Sequence, residues 1–182
     1  IPRQAFEKIA RQRDHKLFSA VFLDQPLARQ MELIRLALPD RGRVGVVLGP
    51  DSLWAQKSLQ AAASGAKLGL AVEKISAAEE LLPALQRVLA ESDVLLAVPE
   101  PLVFNKGTVQ SLLLTTYRYQ EPVIGFSHAY VKAGALASVH TTPEQVGRQA
   151  GEVVSRVLVS RPAWLPPPEY PKYFSVSVNY QV

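Results

Sequence analysis

The sequence has no cysteine. Disulfides, thiolate metal sites and cysteine nucleophiles are thereby excluded, in an oxidising or a reducing compartment alike. Histidine is nearly as scarce. His15, His128 and His140 are the only three, and no pair stands at the i, i+4 spacing that puts two metal ligands on one helix face. No apolar run approaches the ~20 residues that a membrane-spanning helix needs. Glycine is thin where a phosphate-binding loop would require it: "LGPDS" (48–52) has one Gly and no Lys-Ser/Thr, so it is neither a P-loop nor a Gly-x-Gly-x-x-Gly turn. Gly125-Phe126-Ser127-His128-Ala129 lacks the Gly-x-Ser-x-Gly spacing of a nucleophile elbow. A Ser directly before a His also cannot use that ring as its base in the usual geometry. The chain opens Ile1-Pro2 without a Met or a signal-like segment, so a missing upstream segment is expected.

What is present is ordinary globular composition. The 182 residues are 48% hydrophobic and 20% charged, enough for one domain, or for one lobe and part of another, around a packed core. The net charge is +4, but it is unevenly placed. Arg3, Lys8, Arg11, Arg13 and Lys16 stand against only Glu7 and Asp14 within the first 16 residues, leaving a near-neutral remainder. A basic terminal helix with a solvated face accounts for the high pI. Without a basic stripe interleaved with aromatics, no nucleic-acid partner is expected.

Apolar β-type runs alternate with amphipathic stretches. Pro2 with Phe6, Ile9 and Ala10 predicts a helix over about 2–13. "LFSAVFL" (17–23) reads as a strand, and Asp24 as the N-cap of a helix carrying Leu27, Met31, Ile34 and Leu38. Strands follow at 43–49, 68–75 and 93–99, separated by helices over about 53–66 and 77–91. Pro83 should kink the second of these or tighten its first turns. A helix over 107–120 precedes short strands at 122–126 and 136–140, joined by a Gly-containing turn. Thr142, with Pro143 at the first helical position, caps a long helix to about Ser160. "RPAWLPPPEYP" is a proline-stiffened connector. In "KYFSVSVNYQV" Tyr173, Ser175, Ser177 and Asn179 alternate with Phe174, Val176, Val178 and Tyr180, the pattern of a half-exposed strand. Apolar strands between amphipathic helices predict an α/β fold with a doubly wound, mostly parallel, Rossmann-like sheet.

Ligands of such sheets sit beyond the carboxyl ends of the strands. That rule selects the loops holding Asp24–Gln25, Asp51 and Ser52, Pro99 and Glu100, Phe126, Ser127 and His128, and His140 to Thr142. Taken alone, Asp51 or Ser52 reads as an ordinary helix cap. Asp51 and Glu100 follow neighbouring strands, yet no further catalytic group accompanies them, and an enzyme is not expected. Trp54, Phe104, Phe126 and Tyr130 lie on or beside these loops. Each suits core packing, and together they suit walls for an apolar or aromatic ligand. No cofactor and no metal are expected.

The stretch "FLDQPLARQMELIRLALPDRGRVGVVLGPDS" resembles the opening of the second lobe in the ABC-transporter substrate-binding family often labelled tryptophan/tyrosine transport receptors. "VKAGALASV" followed by "VGRQAGEVVSRVL" is similar to that family's Lys-Gly-Ala-Leu-Ala run and Gly-Arg-Gln-Ala-Gly helix, and "YPKYFSVSVNYQV" to its closing strand. The resemblance covers about residues 17–182, most specifically 131–151. It implies a type I periplasmic-binding-protein fold, with two α/β lobes, three crossovers and a solute clamped between. Residues 17–140 and 172–182 would form the second lobe; 1–16 and 141–171 would belong to a largely missing first lobe. "SVHTTPEQ" would be the third crossover, with Gly147, Ala150 and Gly151 packing the next helix closely.

Carried over by resemblance, the ligand contacts fall on Asp51, Ser52, Pro99, Glu100, Phe126, Ser127, His128 and His140. Glu100-Pro101 stands where the family usually has Asn-Asp, and Ser127-His128 where it has Ser-Asp or Ser-Glu, so the polar code of these loops departs from the family's. The implied role is an extracytoplasmic receptor, periplasmic or membrane-anchored, that delivers a small polar or aromatic solute to a membrane permease. The alternative is a ligand-sensing regulatory module of the same fold. A homodimer through residues 142–160 is expected if these residues stand alone, since Val146, Ala150, Val153, Val157 and Leu158 need burial.

Overall fold

The computed structural model describes residues 1–12, 18–160 and 165–181. His15 and the Arg161–Trp164 part of the predicted connector lie outside them. The chain divides into two compact units, Ile1–Pro26 with His140–Ser175, and Leu27–Val139 with Val176–Val182.

The larger unit is the doubly wound sheet. In chain order its elements are α2 (Leu27–Ala37), β1 (Arg43–Leu48), α3 (Gln56–Gly65), β2 (Gly69–Lys74), α4 (Leu81–Ala90), β3 (Val94–Leu96), α5 (Val109–Arg118), β4 (Val123–Gly125), α6 (His128–Ala133) and β5 (Ala137–His140). β6 (Ser175–Val178) completes a six-stranded sheet of order β2-β1-β3-β4-β5-β6. β1 through β5 pair in parallel. The amide of Asn179, just after β6, donates to the carbonyl of Leu136, just before β5, so β6 runs the other way.

Strand alternation sorts the core into two halves. Val44, Val46 and Leu48 of β1, with Val94 and Leu96 of β3, pack with Met31 and Ile34 of α2 and Leu59 and Ala63 of α3. Val47 and Leu95 point the opposite way, onto Leu85, Val88 and Leu89 of α4 and Leu112 of α5. The strands are apolar on both faces because helices cover both. Pro83 is accommodated in the first turn of α4, behind a 3₁₀ turn at Ala78–Glu80.

One local expectation is corrected. The 122–126 and 136–140 strands are joined by α6 rather than by a turn alone, because parallel neighbours need a crossover. β6 has the half-exposed alternation the sequence predicts, with the serines on the more covered side and Val176 and Val178 exposed. Around Gly147 and Gly151 of the last long helix, a Cβ would meet nothing within 4 Å among the described residues.

The smaller unit holds α1 (Arg3–Gln12) and α7 (Pro143–Val159). Asp24, read as the cap of α2, instead accepts a 2.6 Å hydrogen bond from the amide of Arg3 at the start of α1. The described part of "LFSAVFL", residues 18–23, forms no strand. Its carbonyls and amides are divided between Ile1 on one side and Glu169 on the other, leaving one parallel bridge, Val21 to Glu169. These bonds, with edge-on contacts of Phe6 to Phe18 and Phe22 and of Phe22 to Tyr170, group residues up to 26 with this unit instead of the larger one. The Thr142 cap forms as a full capping box, Thr142 Oγ1 accepting from Gln145 N while Gln145 Oε1 accepts from Thr142 N. Along α7, Val154, Leu158 and Val159 are exposed, and Gln149 is buried with Lys172 N donating to its side-chain oxygen.

Candidate functional site

The strand order reverses between β1 and β3: the chain leaves β1 toward β2 on one side and returns to β3 on the other. In open α/β sheets the crevice outside the carboxyl ends of such strands is the usual binding place. Two of the selected loops meet there. After β1, Gly49-Pro50-Asp51-Ser52 turns into a 3₁₀ turn (Leu53–Ala55) and then α3, with the amides of Ser52 and Leu53 bonding back to Gly49 O. After β3, the turn beginning at Glu100 closes when the amides of Val103 and Phe104 both bond to Glu100 O.

The Glu100 side chain is 2% exposed and its carboxylate is fully engaged by protein. Oε2 accepts from Ser52 Oγ at 2.7 Å and from the Asp51 amide at 3.1 Å, and Oε1 from the Leu102 amide at 3.3 Å. Ser52, predicted as a helix cap, makes no capping bond; besides Glu100, its hydroxyl meets the Gly49 amide at 3.0 Å. Gly49 is required for this packing, since a Cβ there would lie 2.5 Å from Glu100 Cδ. Trp54, 40% exposed, donates its indole N–H to Asp51 O at 2.9 Å and stands beside the same loop.

Aromatic rings line the next strand end. Phe126, directly after β4, contacts Tyr130 of α6 at 4.5 Å between centroids and meets Phe104 edge-on at 5.9 Å. Tyr130 and Phe104 close the trio at 5.8 Å. Gly125 lets α6 approach, because a Cβ there would sit 2.7 Å from Tyr130 Cβ. Burial pushes the Tyr130 hydroxyl above its ordinary pKa. Ser127 precedes α6 in extended conformation without capping it, and exposed His128 shares a 2.9 Å hydrogen bond with Ser177 of β6. His140 ends β5 and begins the smaller unit, where Gln25 bonds to Thr141.

The structure thus joins Asp51, Ser52 and Glu100 into one hydrogen-bonded cluster and ties it through the 100–104 turn to Phe126. His128 is held separately by β6. Ser177, absent from the sequence-selected positions, is a hydrogen-bond partner of that ring; the serine phase of β6 was its only sequence signal. Among the described residues no group of three His, Cys, Asp or Glu side chains is placed to hold a metal ion.

A groove of about 1100 Å³ lies at the other, amino-terminal end of β4 and β5, lined by Leu38, Leu113, Tyr117, Pro122 and Leu136 among others. Glu121 stands in its wall, nearly buried, with Ser92 Oγ donating to Oε2 at 3.0 Å. Burial, reinforced by the charge of Asp93 and opposed by Ser92 and Arg41, pushes this carboxyl up to about 7. A carboxyl protonated more readily folded than unfolded costs stability as it ionises. Stability is therefore expected to fall as pH rises from about 4.5 to about 7. Urea midpoints across that range should show the slope, and Glu121→Gln should flatten it.

The model of the family described as "ABC transporter substrate binding protein" matches residues 18–180. The chain belongs to that family. A ligand-free, open substrate-binding protein with adhesive properties from Clostridium difficile is similar in structure, with TM-score 0.73 and 19% identity over 90% of this chain and 56% of that one. An ABC domain in complex with L-Trp from Streptococcus pneumonia gives TM-score 0.69 and 19% identity over 90% and 56%. A conserved domain protein from Vibrio cholerae gives 0.70 and 22% over 90% and 55%. This chain thus spans little more than half the length of these relatives. No curated protein sequence matches it at a significant level.

Proposed function

We propose that this chain is the solute-holding part of the extracytoplasmic receptor of an ABC uptake transporter. A small polar or aromatic molecule would lie over the loops that follow β1, β3 and β4 of the larger unit, and the loaded receptor would deliver it to a membrane permease. The observation that carries this reading is the convergence at the switch point: an acid-and-hydroxyl cluster (Asp51, Ser52, Glu100) beside an aromatic wall (Phe104, Phe126, Tyr130). Family membership supports it, as does the L-Trp complex of the pneumococcal relative. His128 and Ser127 would orient the solute from the β4 loop and Asp51 from the β1 loop. The solute is bound and released unchanged.

The test uses the full-length protein, purified gently and examined by native mass spectrometry, then titrated with the solute that co-purifies or with hits from an amino-acid, amine and nucleoside panel. Saturable binding without product formation is expected. Phe126→Ala should weaken it at least about tenfold by removing an aromatic wall, and Leu114→Ala, at the far end of the sheet, should leave it unchanged. Absence of any binding, or conversion of the solute, would overturn the proposal.

A further inference from the structure

We propose that the groove at the amino-terminal end of β4 and β5 is a second ligand site, for an uncharged, largely apolar molecule whose hydroxyl donates a hydrogen bond to Glu121. It lies at the opposite end of the sheet from the loops assigned to the solute and stands independently of that assignment. Its volume of about 1100 Å³ is at the upper end for a small-molecule pocket. Leu38, Leu113, Tyr117, Pro122 and Leu136 supply apolar walls for the body of such a guest.

Glu121 supplies the polar seat. The chain leaves α5 through Gln120 at φ 56°, and the Glu121 amide then donates to Thr116 O at 3.0 Å, which anchors the residue in the groove wall. Glu121 is only 7% exposed. Its Oε2 meets Ser92 Oγ at 3.0 Å, and that hydroxyl also lies 2.9 Å from Val88 O. An ionised Glu121 takes the serine proton. A protonated one returns the bond with its own proton while Ser92 turns to Val88 O. In both states Oε1 is left as an acceptor, and among the described residues nothing donates to it. A nearly buried acceptor without a donor is costly, and a guest hydroxyl relieves that cost.

The charges around the seat are mixed. Arg118 lines the groove and Arg41 attracts the carboxylate, yet among the described residues neither forms an ion pair with it. Asp93 acts against them while accepting from the Gly42 and Arg43 amides, and Arg43 pairs with Glu91 at 3.4 Å. Lys132 directly precedes Ala133 of the lining. A carboxylate guest would face Glu121 and Asp93, and an ammonium Arg118 and Arg41. Either ion would also surrender its hydration to apolar walls. A neutral hydroxyl incurs neither cost.

The test titrates the full-length protein with 4-butylphenol, following the leucine methyl groups by NMR. Matched guests are 4-butylanisole, which lacks the donor, and the ions 4-butylbenzoate and 4-butylbenzylammonium. The phenol is expected to bind saturably, to shift Leu113 and Leu136, and to bind at least about fivefold more tightly than the other three. Glu121→Leu should bring it down to the affinity of the anisole. Tyr117→Ala, at a residue 79% exposed and so with little bearing on folding, should weaken it at least about threefold. Phe126→Ala, in the solute loops, should leave it unchanged. No binding, equal binding of the anisole or of either ion, or a phenol that ignores both Glu121→Leu and Tyr117→Ala overturns the proposal, as does its loss in Phe126→Ala. Should Glu121→Leu fail to fold, the ligand series and Tyr117→Ala decide. Phenol binding here beside an unresponsive solute panel would overturn the receptor reading alone.

Discussion

Gly49→Ala is expected to lower the unfolding free energy by about 2–4 kcal/mol, through overpacking together with the loss of charge-assisted hydrogen bonds. The added methyl would stand 2.5 Å from Glu100 Cδ and 2.7 and 2.8 Å from its two oxygens. A flexible surface carboxylate would swing away at little cost. This one is 2% exposed and accepts from Ser52, Asp51 and Leu102 together, so any movement that relieves the clash breaks bonds the carboxylate cannot replace with water. The check is a double-mutant cycle by urea denaturation. Glu100→Ala alone should also destabilise, since it leaves buried donors unpaired. In the double variant the methyl gains room, and the combined loss should fall short of the sum by about 1 kcal/mol or more. Strict additivity would mean that the two residues do not share the space the structure gives them.

Leu96→Ala should cost about 3–5 kcal/mol, near the upper range for truncating a core leucine. Leu96 is wholly buried in β3 at the centre of the sheet, between Ile124 of β4 and the β1 valines, and packs toward α2 and α3. Parallel strands covered on both faces relax little, so the cavity persists rather than collapsing. Leu82 of α4, 53% exposed, is the internal comparison, and Leu82→Ala should change the urea midpoint by no more than about 0.5 kcal/mol. Near-equal losses at the two positions would contradict the core described for the larger unit.

The sheet was readable because its signals are local. "RVGVVL" and "DVLLAV" are apolar without alternation, which requires cover on both sides, and the helices between them carry their apolar residues at helical spacing. The Thr142 cap with Pro143 at the first helical position was readable for the same reason, while its closure into a box by Gln145 came from the structure. What escaped the reading depends on distance along the chain. Asp24 could cap the helix that follows it or one that precedes it by some twenty residues, and only the fold brings Arg3 N to its carboxylate. His128–Ala133 is too short for periodicity to declare a helix. Glu100 was legible as a loop residue on a strand end neighbouring Asp51, but its orientation was not, because it is set by Ser52 and Asp51 across the neighbouring strand.

The phase of β6 bears on how the strand is held. Val176 and Val178 turn away from the covered side that Ser175 and Ser177 occupy, so hydropathy alone would favour sliding this segment by one residue and reversing every side chain on it. What opposes the slip is polar: Ser177 to His128, Ser175 to Gln145, and the Asn179 amide to Leu136. The strand is thus threaded by hydroxyls against its own grease, and an alignment or redesign that rewards buried valine would thread it backwards.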